Sequence, residues 1–338
     1  MRRASTLLLL GSLLLTALPS TAQEGMQAAL ERAHAAFRGL DEGETAQYIP
    51  ALAAADPSHF GLVIATVGGQ IYAVGDTDIT FAIMSAAKPF TLALLLQQQG
   101  RDVAIDRIGV EPTGLPFNAL QGVDKSLHQP LNPMVNAGAI TTVSLLQVES
   151  PEQRWPLILD YYSEFAGETH AMMDGVYKSD GTSNYNSRAI VNLLMLNGWL
   201  GADPASTLDI NNKQSSVGVT AKQLAAMGAT LANGGVNPLT GKRLLAADLV
   251  DELLSVMLLS GFYDESGWWA YNVGLPSKSG VGGGIVAVVP GRMALAGYSP
   301  RLSPAGNSVR AMRAIESIAR EYELNIFRPP PQAAAAEN

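Results

Sequence analysis

Ser85 and Lys88 stand three residues apart in FAIMSAAKPFTLALLL (81–96), with apolar residues almost everywhere around them. In a helix, residues at this spacing share a face, so a hydroxyl and an amine would meet. A serine hydroxyl is a weak nucleophile until a base takes its proton. Lysine serves as that base only when neutral, and its free pKa is about 10.4. Lowering it by about three units costs roughly 4 kcal/mol, supplied by desolvation or a neighbouring charge. Pro89 limits the geometry. Its ring clashes with the Ser85 carbonyl unless Ser85 lies at or before the helix start, and it disfavours helical angles at Lys88. Either Ser85 sits at the N-terminus of the helix or the helix begins at Pro89. The first arrangement leaves N–H groups near Ser85 free to bind an oxyanion. Alone, S-x-x-K is a weak signal, since about one match is expected by chance in a chain this long. A structural lysine is the simpler reading of that motif by itself.

A second candidate lies in LPSKSGVGGGI, where Lys278-Ser279-Gly280 has the form of the K-[ST]-G element that lines serine acyl-enzyme sites. It leads into a late hairpin whose edge strand would present the Val281 N–H to a substrate carbonyl. The competing reading is a plain glycine-rich turn. A dinucleotide loop is excluded because the sixth position of GVGGGI is Ile285, and GVNPLTGKR misses the phosphate-loop pattern in spacing and in its last residue. The chain has no cysteine, which removes thiol chemistry, thiolate metal sites and disulfides. Its four histidines, His34, His59, His128 and His170, show no ligand spacing. Neither a metal nor a cofactor is expected.

The elements that must position these residues are legible in outline. FGLVIATVGGQIYAVGD (60–76) predicts two strands joined at Gly68-Gly69. A helical run over 91–99 stops at Gly100. From about 109 to 260 the signals are mainly helical, broken by Gly, Pro and Asn. GGGIVAVVPGRMALAGYS (282–299) is a hairpin turning at Pro290-Gly291, and SVRAMRAIESIAREYEL is an amphipathic helix. Strands at both ends with helices between predict an α/β (α+β) architecture, one antiparallel sheet flanked by helices with an inserted helical domain.

At 338 residues, 47% hydrophobic and 15% charged, the chain is globular rather than disordered. A net charge of −8 without any basic run argues against nucleic acid as a partner. The first 22 residues carry Arg2 and Arg3, an apolar run from Leu7 to Leu18, and small residues before Gln23. This is the pattern of a secretory signal peptide; the run is short for a membrane anchor. A secreted or periplasmic protein with no membrane span after cleavage is expected. The expected organisation is a signal at 1–22, a sheet domain from 23–105 and 262–328, a helical domain at 106–261, and a disordered tail at 329–338.

Across roughly 45–307 the sequence resembles the serine-dependent glutaminases, relatives of the β-lactamases and penicillin-binding proteins in fold. The resemblance is carried by YIPALAAADP, FAIMSAAKPFTLAL, GVEPTGLPFN, NPMVNAGAI, TLANGGVNPLTG, SGFYDESG and LPSKSGVGGGIVAVVPGRM, in the family's order. It implies hydrolysis of the side-chain amide of a small molecule, L-glutamine or a related amide, through an acyl-enzyme with release of ammonia. It further implies Ser85 as nucleophile, Lys88 as base and Tyr263 as proton relay to the leaving group. The N–H groups of Ser85 and Val281 would bind the oxyanion, Tyr48 and Asn136 the substrate. A dimer or tetramer is also implied. Three positions depart from the family's pattern. Asp180 stands where the family has glutamate, Ser187 where it has asparagine, and Asn211 where it has tyrosine; Ser215 replaces a cysteine nearby. These first three match positions that grip the amino-acid end of glutamine or sit against it, so the reading keeps the chemical centre and alters the pocket that selects the substrate. A β-lactam or cell-wall-directed acyl-serine enzyme and a catalytically altered binding homologue stay open as alternatives at this level.

Overall fold

The computed structural model describes residues 20–124 and 132–328. Most of the expected signal segment, the expected tail and His128 lie outside the described residues. Among the described residues eight strands are formed: β1 (Gly61–Thr66), β2 (Ile71–Gly75), β3 (Phe81–Ala82), β4 (Ala171–Met172), β5 (Val217–Val219), β6 (Ser277–Ser279), β7 (Gly284–Val289) and β8 (Met293–Tyr298). Five make one antiparallel sheet in the order β2-β1-β8-β7-β6. The first and last parts of the chain thus interleave, with Val63 opposite Ala296 and Val286 opposite Ala296 on its other side. The two predicted hairpins are β1–β2 and β7–β8, and their turns use left-handed glycines, Gly69 (φ +83°) and Gly291 (φ +70°).

Strands β1, β7 and β8 are buried at every position, because both faces of the sheet are covered. On one face Leu62, Ile64, Ile285, Ala287 and Leu295 pack against the helices Ser20–Phe37 and Val309–Glu321. On the other, Val63, Val286, Val288, Ala294 and Ala296 join the larger core, which holds the helices Lys88–Gln99 and Ala221–Ala232. Side chains of period two therefore feed two different cores. Gly228 lets the second of those helices sit close: a Cβ there would lie 2.6 Å from Val286 Cγ2 and 2.8 Å from the Ala294 Cβ. That helix packs directly on the sheet, although it falls inside the stretch grouped by sequence with the helical unit. An apolar stripe says that a helix face is buried but not against which neighbour.

Beside the main sheet lie helices Asn136–Leu145, Arg154–Ala166, Asp174–Ser183, Tyr185–Leu196 and Pro204–Ser215. A small second sheet, ordered β3-β5-β4, is tucked among them. Its strands of two or three residues are too short to show alternation, so the sequence reads this stretch as helical and loop. The small sheet matters because β3 runs straight into the Ser85 turn. Ile83 N–H continues the pairing by donating to Val217 O at 2.8 Å.

Candidate active site

The approach to Ser85 combines the two readings that Pro89 allowed. Met84–Ala87 form a 3-10 turn, and the α-helix starts at Lys88 with Pro89 in its first turn. The Pro89 ring then meets no helical carbonyl at position 85. Met84 adopts φ +48°, a left-handed conformation that strains a residue with a side chain. Gly280 and Gly282 allow the β6–β7 turn to press on this segment. A Cβ at Gly280 would stand 2.5 Å from Ile83 O and 3.3 Å from Ser85 N; one at Gly282 would stand 2.0 Å from Ala82 O. Backbone therefore approaches backbone beside Ser85, and only glycine permits it. Val281, between them, is buried. Its N–H has no hydrogen-bond partner among the described residues. It follows edge strand β6 rather than lying in it.

Ser85, Lys88, Asn136 and Val281 line one cavity of about 290 Å³ together with Tyr48, Asp180, Ser187 and Asn211. Lys88 is 6% exposed, and burial lowers its amine to a pKa of about 7. Its Nζ donates to Asn136 Oδ1 at 2.8 Å, at the first residue of the helix Asn136–Leu145. The lysine's hydrogen bond is thus with Asn136, a residue expected from sequence to touch substrate, and not with Ser85.

Tyr263 is also strained, at φ +58°, and is buried. Its hydroxyl lies within hydrogen-bonding reach of the Ser85 side chain and donates to Ser279 O at 3.1 Å. Burial pushes its pKa up to about 12, so the phenol stays protonated and acts as a donor. Beneath it is Lys278, fully buried, with Nζ 3.9 Å from the centre of the Tyr263 ring. Lys278 donates to Gly261 O (2.9 Å) and Ser279 O (2.7 Å), and so ties together the two backbone segments flanking the tyrosine. Burial, and secondly the charge of Lys88, hold its pKa well below the ordinary lysine value.

At the far end of the cavity, Asp180 is 6% exposed. Burial raises its pKa to about 6, and a hydrogen bond from Asn184 opposes that shift. No lysine or arginine pairs with it among the described residues. Asn184 caps the helix Tyr185–Leu196 by accepting from Ser187 N–H at 3.1 Å, which seats the buried Ser187 beside Asp180. Asn211 accepts from Gln214 Nε2 at 3.2 Å. Gln214 Oε1 in turn accepts from Thr91 Oγ1 at 2.6 Å, and Tyr162 Oη donates to Ala87 O at 3.2 Å and hydrogen-bonds Thr91. A buried polar chain therefore runs from the helix that carries Lys88 to the pocket wall at Asn211. Tyr48 is exposed at the cavity mouth.

Reasoning from sequence singled out none of Phe117, Asn118, Asn184 or Ser215 as site residues, yet all line the cavity. Phe117 packs on Tyr263 with ring centres 5.0 Å apart. The first two lie in GVEPTGLPFN, a stretch whose resemblance was visible though no side chain in it stood out. No group of three His, Cys, Asp or Glu residues able to hold a metal occurs among the described residues, and no described helix is long and apolar enough to cross a membrane.

The geometry provides a hydroxyl, a buried amine of lowered pKa, a free N–H and a carboxylate in one cavity, with the protonated phenol of Tyr263 buried behind its wall at Phe117 rather than lining it. Comparison with known proteins narrows what such a site serves. The profile of the family described as Glutaminase matches residues 43–327. A glutaminase of Colwellia psychrerythraea is 46% identical over 308 residues, covering 91% of this chain and 99% of the relative. A solved structure described as the probable glutaminase ybaS is 45% identical, with a TM-score of 0.88 over 90% of this chain and 99% of that one. The structure of Mglu in its glutamate form is 35% identical, with a TM-score of 0.86 over 90% of this chain and 70% of that one.

Proposed function

The chain belongs to the glutaminase family and is a glutaminase-type hydrolase with a β-lactamase-like fold, and from that premise we propose that it cleaves the side-chain amide of L-glutamine, or of a close relative, through an acyl-enzyme on Ser85. The observation that carries this reading is the lowered pKa of Lys88, about 7, in the same cavity as Ser85. A neutral amine at that position takes the serine proton as Oγ attacks the amide carbon. The N–H groups of Ser85 and Val281 receive the developing oxyanion, a contribution worth about 3–4 kcal/mol per donor in acyl-transfer sites. Tyr263, held protonated and within reach of Ser85, passes a proton to the departing nitrogen, and the proton that Lys88 took from Ser85 is handed on to the phenolate, which leaves the amine neutral again. Water then attacks the ester with Lys88 taking its proton and returning it to Ser85 Oγ as the acid is released.

Among the described residues Asp180 is the one acidic residue lining the cavity, and Lys88 the one basic residue. We assign Asp180 to the α-ammonium of the substrate, with Ser187 and Asn211 supplying neutral polar contacts around the α-carboxylate. The relative solved with glutamate is consistent with a product of this shape. Export through the basic-apolar N-terminal segment is part of the same proposal, as is a homo-oligomeric state. N-terminal sequencing of the mature protein and light scattering test those two points.

The direct experiment is ammonia release from glutamine by the wild type, alongside intact mass after incubation with a glutamine-like electrophile and with penicillin. Ammonia release and a single adduct on Ser85 from the glutamine analogue are expected. A stable penicilloyl adduct without ammonia from glutamine would replace this reading with a β-lactam-directed one.

A further inference from the structure

The reacting centre opens on more than one space. Tyr48, Phe117 and Val281, which line the cavity of Ser85, also line a second groove of about 520 Å³. Its other walls are the segments 43–47 and 302–306. These are fixed to each other by two backbone hydrogen bonds, Leu302 N–H to Glu44 O at 2.8 Å and Glu44 N–H to Leu302 O at 3.2 Å. The floor lies at Gly306, in a left-handed conformation (φ +92°). A Cβ there would stand 3.2 Å from Val281 Cγ1, 3.6 Å from Phe117 Cε1 and 4.0 Å from Tyr263 Cε2. The absent side chain keeps the groove open beside the Tyr263 ring.

The groove thus adjoins Val281, whose N–H is assigned to the reacting carbonyl, and at Gly306 and Phe117 it abuts the ring of Tyr263, the phenol that protonates the departing nitrogen. None of Asp180, Ser187 and Asn211, assigned to the other end of the substrate, lines it. Ammonia needs no such room. Among the described residues the only charged one that lines the groove is Glu44, which is exposed.

We propose that this groove receives the substituent on the nitrogen of an N-substituted side-chain amide, so that the protein also releases primary amines from γ-glutamyl alkylamides. The proposal rests on the Ser85 acyl-enzyme reading. The Oγ–C bond forms and the amide C–N bond breaks, and the nitrogen leaves as R–NH₂ carrying a proton from Tyr263, which the proton taken from Ser85 by Lys88 replaces. Water then splits the ester, so one water is consumed and nothing is oxidised or reduced. An uncharged alkyl substituent suits the groove, whereas a carboxylate on the substituent would face Glu44.

The test compares glutamine, γ-glutamyl-n-butylamide and γ-glutamylglycine as substrates of the full-length protein, with released amine and glutamate read by mass spectrometry. The butylamide is expected to be cleaved with a kcat/KM within tenfold of glutamine, and γ-glutamylglycine less well. Gln47→Trp and Pro304→Trp, which place bulk at the groove, are expected to lower turnover of the butylamide at least tenfold and that of glutamine less than twofold. Intact glutamine turnover in these variants shows that they fold. A wild type that hydrolyses glutamine but not the butylamide overturns the groove assignment alone. So do variants that slow both substrates equally or neither. A wild type that hydrolyses neither substrate overturns the acyl-enzyme reading, and this one with it.

Discussion

Around Ser85 the reactive groups are held by backbone, whereas around Asp180 they are held by other side chains. At the first end two non-glycine residues, Met84 and Tyr263, take left-handed angles. Two glycines admit backbone to within contact of the Ser85 turn, and Lys278 clamps two carbonyls beneath the phenol. At the second end Asp180, Ser187 and Asn211 sit on three helices, with Asn184 capping the helix of Ser187 and Gln214 donating to Asn211. Strained or glycine-dependent backbone tolerates little change, because any added atom meets a neighbour that cannot move. Side chains that only line a cavity can be exchanged without moving the backbone that carries them. Asp180, Ser187 and Asn211, the residues that the resemblance marks as differing from the family's pattern, all fall at the second end. On the proposed reading the first end carries the chemistry and the second the selection of the substrate.

If that division holds, substitutions at the two ends should affect different kinetic constants. The largest effect is expected for Ser85→Ala, with kcat on glutamine reduced roughly 10⁴-fold or more and thermal melting little changed. Residual activity near wild type would remove the nucleophile from position 85. Lys88→Met should follow, with a loss of about 10³-fold in kcat. With Lys88 in the proposed role of base, wild-type kcat should rise with pH through about 7 as the amine loses its proton; a flat profile between pH 6 and 8 contradicts that role. Gly280→Ala probes the backbone end without touching a reactive group. Its Cβ at 2.5 Å from Ile83 O would push the Val281 N–H away from Ser85, so kcat should fall on the order of 10²-fold with KM nearly constant. A wild-type rate would show the turn to be more compliant than the contacts indicate.

The smallest effect belongs to the second end. Asp180→Asn should raise KM for glutamine roughly tenfold to 100-fold while leaving kcat within a few-fold, since only binding of the ammonium is lost. In the wild type, KM should rise as pH falls through about 6, where the carboxylate takes up a proton, and the variant should lose that dependence. A fall in kcat equal to the rise in KM would show that the two ends are not separable.

Local patterns in the sequence carried much of the framework. The glycine turns fixed both hairpins, the apolar periodicity fixed the helix Val309–Glu321, and Pro89 confined Ser85 to the start of its helix. The three-stranded second sheet left no such trace, because two paired residues have no period. The helix Ser20–Phe37 went unread as well; its covering role depends on the sheet face it meets, which forms from strands far along the chain. At the site, residue types with obvious chemistry were legible: Ser85, Lys88 and the Lys278-Ser279-Gly280 element. Phe117 and Asn184 were not, since an aromatic side chain and a capping amide look alike in any loop.

The residues themselves determined that this chain would carry a serine and a lysine at the start of a buried helix, with a glycine-rich turn after a late edge strand. Only the tertiary structure decided that Asn136 holds the lysine, that Tyr263 reaches Ser85, and that Lys278 lies under the phenol. Those contacts join residues far apart in the chain, such as the 48 positions between Lys88 and Asn136. Turn and helix preferences act over a few residues, whereas desolvation, which brings an amine to a pKa of about 7, arises only when distant segments close over it.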